Sequence, residues 1–348
     1  MKVLHLYDTK DQLIAQHVAM LNVESVSQTS NHIDIIHVHG CWNRSVATQA
    51  ERLRLQGARI VLSPHGALQP WIISERFSTE KAAKALLWQR NLVQHAFAVI
   101  AHGKMELDAL RNLGWNPRIE SIGNAVITNT ITPDAMRRET YSVYQKVMDS
   151  YTLPLLSPQA LKLLPILLKA GITGDKRWVQ AYVDGNDNGN YFNALDFKSV
   201  NSSDDWRRLL LYADHENIRQ VVDRGISILS LDVPKINTAD IACYLPQGYK
   251  QPVVESADPV SIAQQAMSGP LSMLHLVELD RALRQPDIDD DSLAAELSDQ
   301  SMTRYFQRLL QLLSENTLIE EGFMPLPPIN DRNTGQMRRQ LATHLMVV

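Results

Sequence analysis

This 348-residue sequence predicts an α/β fold with a parallel sheet, followed by a mainly α-helical domain. Three observations carry that reading. Up to about residue 125, short apolar runs alternate with stretches of helical period, the rhythm of repeated βαβ units. From about Thr132 that rhythm fades and helical periodicity continues alone. The charge divides at the same place: residues 1–135 carry 13 Lys+Arg against 11 Asp+Glu, and residues 136–348 carry 21 against 27. The expected domains are residues 1–130 and residues 131–348.

The elements follow in order. Val3–Tyr7 is a strand, and Lys10–Val23 a helix with Leu13, Ile14, Val18 and Leu21 at helical spacing and His17 among them. Ile33–His39 (IDIIHVH) is a strand closed by Gly40, and Val46–Leu55 a helix stopped by Gly57. Arg59–Ser63 is a strand running into Pro64-His65-Gly66. Thr79–His95 is a long helix capped by Ser78 or Thr79 with Glu80 behind. Phe97–Ala101 is a strand, Lys104–Leu113 a helix stopped by Gly114, and Arg118–Ile122 a last strand ending at Gly123-Asn124. Beyond it, Pro133, Pro154, Pro158 and Pro165 punctuate a largely helical stretch. Gly171–Ser203 reads as a loop around the Gly/Asn/Asp-rich residues 184–190. Helices are expected at Asp204–Asp223, Ser256–Leu283 (broken near Gly269-Pro270), Asp290–Leu313 and Gln336–Val347, with Asp287–Asp291 as an acidic segment at a helix start.

Composition excludes several classes. Hydrophobic residues make up 45% and charged residues 21%, enough for a core without disulfide or metal staples. A net charge of −4 argues against a general nucleic-acid binder. Cys41 and Cys243 form no disulfide framework or redox pair. No stretch has the length and apolarity of a transmembrane helix, and a cytoplasmic location is expected. There is no G-x-G-x-x-G, P-loop or G-x-S-x-G. One oddity stands out: of 11 histidines, five fall within the first 39 residues.

In an open parallel sheet, ligands bind beyond the carboxyl ends of the strands. Three strands end in polar turns containing glycine: His37 to Asn43, Ser63 to Gly66, and Ile122 to Ala125. Their polar groups suit a sugar or phosphate, which singles out His39, Gly40, Trp42, Ser63, His65, Gly66 and Asn124. His37 and His39 share one face of a strand. His39 is nearer the strand end, whereas His37 reads as a core histidine satisfied by backbone. His65, between Pro64 and Gly66, reads as a site residue.

The motifs DIIHVHGCWN (34–43), VLSPHGALQPW (61–71), FAVIAHGKMELDALRNLG (97–114) and RIESIGNAV (118–126) together resemble the N-terminal half of family 4 glycosyltransferases, which are retaining enzymes of the two-domain GT-B architecture. The resemblance implies a Rossmann-like sheet in which Gly40, Cys41 and Trp42 line the cleft, trimmed in this chain because only about 25 residues separate strand one from the His37-Val38-His39 strand, where the family has about two more strands. It implies that His65, with Gly66 beside it, contacts a sugar near the reacting centre, which makes His65 the candidate catalytic residue. The substrate-binding candidates are His39, Gly40, Trp42, Ser63, Gly66 and Asn124. Three departures accompany it. Asp8-Thr9-Lys10-Asp11 stands where the family has a Gly-Gly loop. Ala125 follows Asn124 where a glycine is usual. No two of the 14 glutamates are spaced as E-x7-E, and no second βαβ series follows.

A metal could in principle be held by His37, His39, Cys41 and His65. GT-B enzymes need no divalent metal and strand pairing accounts for the histidines, so neither metal nor cofactor is expected. The helix bearing Lys81, Lys84 and Arg90 reads either as an ordinary amphipathic helix with a solvated basic face or as a peripheral contact with an anionic membrane. The expected partner is a nucleotide-sugar or glycan, not nucleic acid. Two functions are expected: transfer of a sugar from a nucleotide-sugar to a glycan or lipid-linked acceptor, or a non-catalytic binding or accessory role in surface polysaccharide assembly.

Overall fold

The computed structural model describes residues 1–21, 33–76, 80–150, 156–177 and 202–346. It divides into two compact units, Met1–Met148 and Asp149–Val348.

The first unit is built on five parallel strands, β1 (Val3–Leu6), β2 (Ile35–His39), β3 (Arg59–Ser63), β4 (Ala96–Ala101) and β5 (Ile119–Ser121), in the order β1-β2-β3-β4-β5. Its helices are α1 (Gln12–Leu21), α2 (Arg44–Leu55), α3 (Pro70–Arg76), α4 (Glu80–His95), α5 (Lys104–Leu113) and α6 (Pro133–Asp149). The expected trimmed α/β sheet is therefore present. Every residue of β2 and β3 is buried, as central strands covered on both faces must be.

The pleat sorts their side chains. Ile36, Val38, Ile60 and Leu62 point to one face and join a core with Ala47 and Ala50 of α2, Leu92 and Val93 of α4 and Leu110 of α5. Alternation sends His37, His39 and Ser63 to the opposite face. Parallel register sets His5 beside His37 and His39 beside Ser63. This second face is covered from α6, whose Tyr144 hydroxyl lies 2.6 Å from His37 Nδ1. It is also covered from α1, whose buried positions Ile14, His17 and Leu21 follow helical spacing. Because α6 packs on the sheet, the first unit runs to Met148 rather than ending near residue 130.

The second unit is helical among its described residues. Its helices are α7 (Pro158–Thr173), α8 (Ser203–His215), α9 (Arg219–Ile228), α10 (Pro259–Ser268), α11 (Met273–Leu283), α12 (Asp290–Asp299), α13 (Thr303–Asn316) and α14 (Arg332–Thr343). Leu167, Trp206, Leu210, Leu276, Phe306 and Leu309 are among the side chains of one continuous core. Local sequence sets the helix ends. Ser157 caps α7 just before Pro158, and Asp258 caps α10 just before Pro259, the first-turn position at which proline's missing N–H costs nothing. The acidic segment behaves as expected: Asp289 caps α12, with Asp290 and Asp291 in its first turn.

Four expectations differ from what is observed. The helix expected over Asp204–Asp223 is two helices, because Asn217 adopts a left-handed conformation (φ 58°). Asp290–Leu313 is likewise split at Ser301 (φ 57°). The terminal helix begins at Arg332 rather than Gln336, on an Asp331 cap that accepts from Thr334 N. Helix α7 continues through Gly171 to Thr173, so the loop cannot begin at Gly171. The caps Ser78 and Thr79, Pro154 and the 184–190 segment lie outside the described residues, as do the side chains of Lys81 and Lys84; Arg90 is exposed on α4. Among the described residues no helix is long and apolar enough to cross a membrane.

Candidate active site

Six histidines converge at the carboxyl ends of β1 to β4. His5, His37 and His39 come from adjacent strands and His17 from α1. His65 comes from the turn after β3, and His102 from the turn after β4. His5 Nδ1 lies 2.8 Å from His39 Nε2, and His39 Nδ1 lies 3.1 Å from His65 Nε2. The His65 and His102 rings stack with centroids 4.5 Å apart, and the His17 ring meets each of them edge-on at 4.8 Å. His37 is a core histidine, but its partners are the Tyr144 hydroxyl at 2.6 Å and the Ser63 hydroxyl at 2.8 Å rather than backbone.

All six imidazoles are held neutral at pH 7. Burial is the first cause in each case, and neighbouring histidines add to it for all but His17. His65 is pushed down to about 2, His102 to about 3 and His5 to about 4. His37 and His39 lie well below the ordinary value, and His17 is lowered despite its bond to Asn124.

A cavity of about 1040 Å³ opens beside this cluster. Of the residues singled out from sequence, His39, Gly40, Trp42 and His65 line it. Two of these sit in strained backbone: His65 has φ 51° and Trp42 φ 68°. Such conformations cost about 1–3 kcal/mol each and persist only where surroundings enforce them. Trp42 is held by its backbone N–H donating to Gln89 Oε1 at 2.9 Å and its indole N–H donating to Ala67 O at 2.8 Å.

The other three candidates do not line the cavity. Ser63 is buried against His37. Asn124 is buried with its Oδ1 3.1 Å from His17 Nδ1. The Gly66 N–H donates to Glu106 Oε1 at 2.6 Å. The Gly40 N–H likewise donates to Ser63 O at 2.8 Å. Neither glycine amide is therefore open to a phosphate, and these two glycines serve the shape of the turns.

Sequence reasoning missed Glu106, Gln89, Tyr144 and half of the histidines. Glu106 accepts from the backbone N–H of both Gly66 and His102, tying the turn after β3 to that after β4. Burial pushes its carboxyl pKa up, and those two amides partly oppose the shift. Glu106→Ala orphans both amides, that of Gly66 in the turn that bears His65 and that of His102 in the turn after β4. Because bonds to a charged partner are worth about 1.5–3 kcal/mol each, a loss of about 3 kcal/mol is expected in urea unfolding. Gln89 is fully buried with its Oε1 committed to Trp42, and its Nε2 has no partner among the described residues. Gln89 lines the cavity, but this Nε2 is itself buried, and the residue acts there by holding Trp42. Burial, with the Glu106 charge second, pushes the Cys41 thiol up, so it stays protonated and unreactive.

Residues 13–125, roughly a third of the chain, match the family model of the glycosyl transferase 4-like domain. The cavity-lining His39, Gly40, Trp42 and His65, and the supporting Glu106 and Asn124, all fall within the matched stretch. Over that stretch the first unit is similar to a glycosyl transferase 4-like domain. No curated protein matches the chain, and no solved structure does.

Proposed function

We propose that this protein is a divergent glycosyltransferase that moves a sugar from a nucleotide-sugar to a glycan or lipid-linked acceptor. The supporting observation is the cavity at the ends of β2 and β3, walled by His39, Gly40, Trp42 and His65 inside the glycosyltransferase-like stretch. Trp42 offers an aromatic wall to a sugar ring, and Lys10 and Arg44 bring two cationic groups to the same cavity. His65 is neutral at working pH, so it acts by positioning a hydroxyl through a hydrogen bond and not as a cation or proton donor. The reaction that suits such a site is one driven by orientation and by stabilisation of the leaving phosphate.

The second reading, a non-catalytic glycan-binding or accessory protein in polysaccharide assembly, is favoured by one observation. Among the described residues the second unit holds helices and no strand, so the parallel sheet that carries the donor in a two-domain glycosyltransferase has no counterpart there. Release of nucleoside diphosphate from UDP-, GDP- and ADP-sugars, with a glycan acceptor present, separates the two. Turnover that falls at least a hundredfold in His65→Ala, with little change in melting temperature, supports transfer. Glycan binding without turnover supports the accessory reading.

A further inference from the structure

Two ring tautomers in the histidine cluster are fixed by the protein. Asn124 Oδ1 accepts the Val126 N–H at 3.0 Å, which settles which end of that amide faces His17. His17 Nδ1, 3.1 Å away, must therefore donate to it. His102 Nδ1 donates in the same way to Ile122 O at 3.0 Å. Each ring is left with a bare lone pair on Nε2, and neither atom has a hydrogen-bond partner among the described residues. His17 is only 1% exposed, so water does not reach it freely. A buried acceptor without a donor costs about 1–3 kcal/mol.

The neighbouring histidines supply no proton for it. A neutral imidazole carries one N–H. In the chain His5–His39–His65 the two contacts use two of the three ring N–H groups; the third sits at an end of the chain, on His65 Nδ1 or His5 Nε2, and makes no hydrogen bond to His17 Nε2. Yet one nitrogen from each of His17, His39 and His65 lies within 4.8 Å of the other two. Two of these rings, His17 and His39, have their outer nitrogen tied to an oxygen or nitrogen partner, the arrangement by which proteins orient metal-ligating histidines.

We propose that His17, His39 and His65 bind one divalent d-block cation of the zinc class. His17 offers Nε2, His39 Nδ1 and His65 Nε2. Asn124 holds the outer nitrogen of His17, and His5 Nδ1 accepts from the outer nitrogen of His39. Three imidazoles with no carboxylate select a borderline cation such as Zn²⁺, Co²⁺ or Ni²⁺ over Mg²⁺ or Ca²⁺. Three protein ligands are also the complement of a zinc site that keeps a coordination position open. His39 and His65 line the cavity as well, so the ion stands at its wall, within reach of an oxygen of the bound molecule. This inference stands apart from sugar transfer, because it is read without any nucleotide or acceptor.

The test uses the full chain without an affinity tag, stripped with EDTA. It is titrated with Zn²⁺ by calorimetry and with Co²⁺ by optical absorption. One ion per chain is expected, with ligand-field bands of a nitrogen-ligated Co²⁺. His17→Gln and His65→Gln should each weaken binding at least tenfold, and Asn124→Ala about ten- to a hundredfold. The exposed His95→Gln should bind as the parent does. His65 lies on a turn, so His65→Gln keeps the test valid if His17→Gln fails to fold, and circular dichroism checks both. Absence of a stoichiometric ion, or affinity unchanged in His65→Gln and in whichever His17 variant folds, overturns the proposal.

Discussion

Lowering the pH from 6 to 4 in the presence of a chelator is expected to unfold the first unit cooperatively. The six clustered histidines are neutral in the fold, with values pushed below the ordinary 6.5 first by burial. In the unfolded chain they take up protons as pH falls through 6.5, while the folded chain does not. The unfolded state then binds more protons, and stability falls with falling pH. It is complete above the unfolded value and is lost progressively down towards the folded values, about 4 for His5, 3 for His102 and 2 for His65. Each uncompensated proton contributes a slope of about 1.4 kcal/mol per pH unit. If only two of the six resist protonation, two pH units remove about 5 kcal/mol, comparable to the whole stability of an ordinary domain. Hydrogen exchange of peptides from residues 33–63 reads this unit directly. A transition midpoint between about pH 4 and 6 is expected. Protection retained to pH 3 would show that the rings are not buried neutral.

Gly171→Ala and Gly225→Ala are each expected to destabilise the second unit by at least about 3 kcal/mol. A Cβ at Gly171 would stand 2.0 Å from Val221 O, and one at Gly225 would stand 2.1 Å from Leu167 O. Helices α7 and α9 thus touch backbone to backbone, and no rotamer change relieves a clash with a carbonyl. Helix propensity alone gives the opposite sign, since alanine in mid-helix is better than glycine by about 1 kcal/mol. Packing wins at these two positions. Gly335→Ala in α14 is the control: its nearest neighbour would be Arg339 Nη1 at 4.0 Å, so propensity decides and about 1 kcal/mol of stabilisation is expected. Urea midpoints of the three variants measure this, and equal effects would contradict the close helix contact.

The strands were legible because their apolar runs are short and bounded by turn residues, and IIHVH announced both a buried strand and two histidines on one face. The reading of His39, Gly40, Trp42 and His65 as cavity residues rested on motif order in a single stretch. What the sequence did not disclose was convergence. His5, His17 and His102 come from β1, α1 and the end of β4, and no spacing links them to His65. The one available signal was compositional, the crowding of histidines near the N-terminus, four of which (His5, His17, His37 and His39) meet in the fold; His32 lies outside the described residues. Glu106 was equally hidden, since an acidic residue in the first turn of α5 looks like a helix-dipole partner until its carboxylate is seen holding the Gly66 and His102 amides. The helix breaks at Asn217 and Ser301 were missed because neither residue is the glycine that usually marks a left-handed turn. Gly40 and Gly66 were singled out as binding residues, and only the register of β2 and β3 and the position of Glu106 show that their backbone amides are taken.

The central claim, that the His39–Trp42–His65 cavity receives a saccharide, is tested most directly by thermal unfolding with UDP-, GDP- and ADP-sugars and with free oligosaccharides. A ligand present at a hundred times its Kd should stabilise the parent chain by about 2.7 kcal/mol. His65→Ala should lose most of that gain while melting close to the parent temperature in the absence of ligand. If none of these ligands raises the stability of the parent chain, the cavity is not a saccharide site and the functional account is wrong.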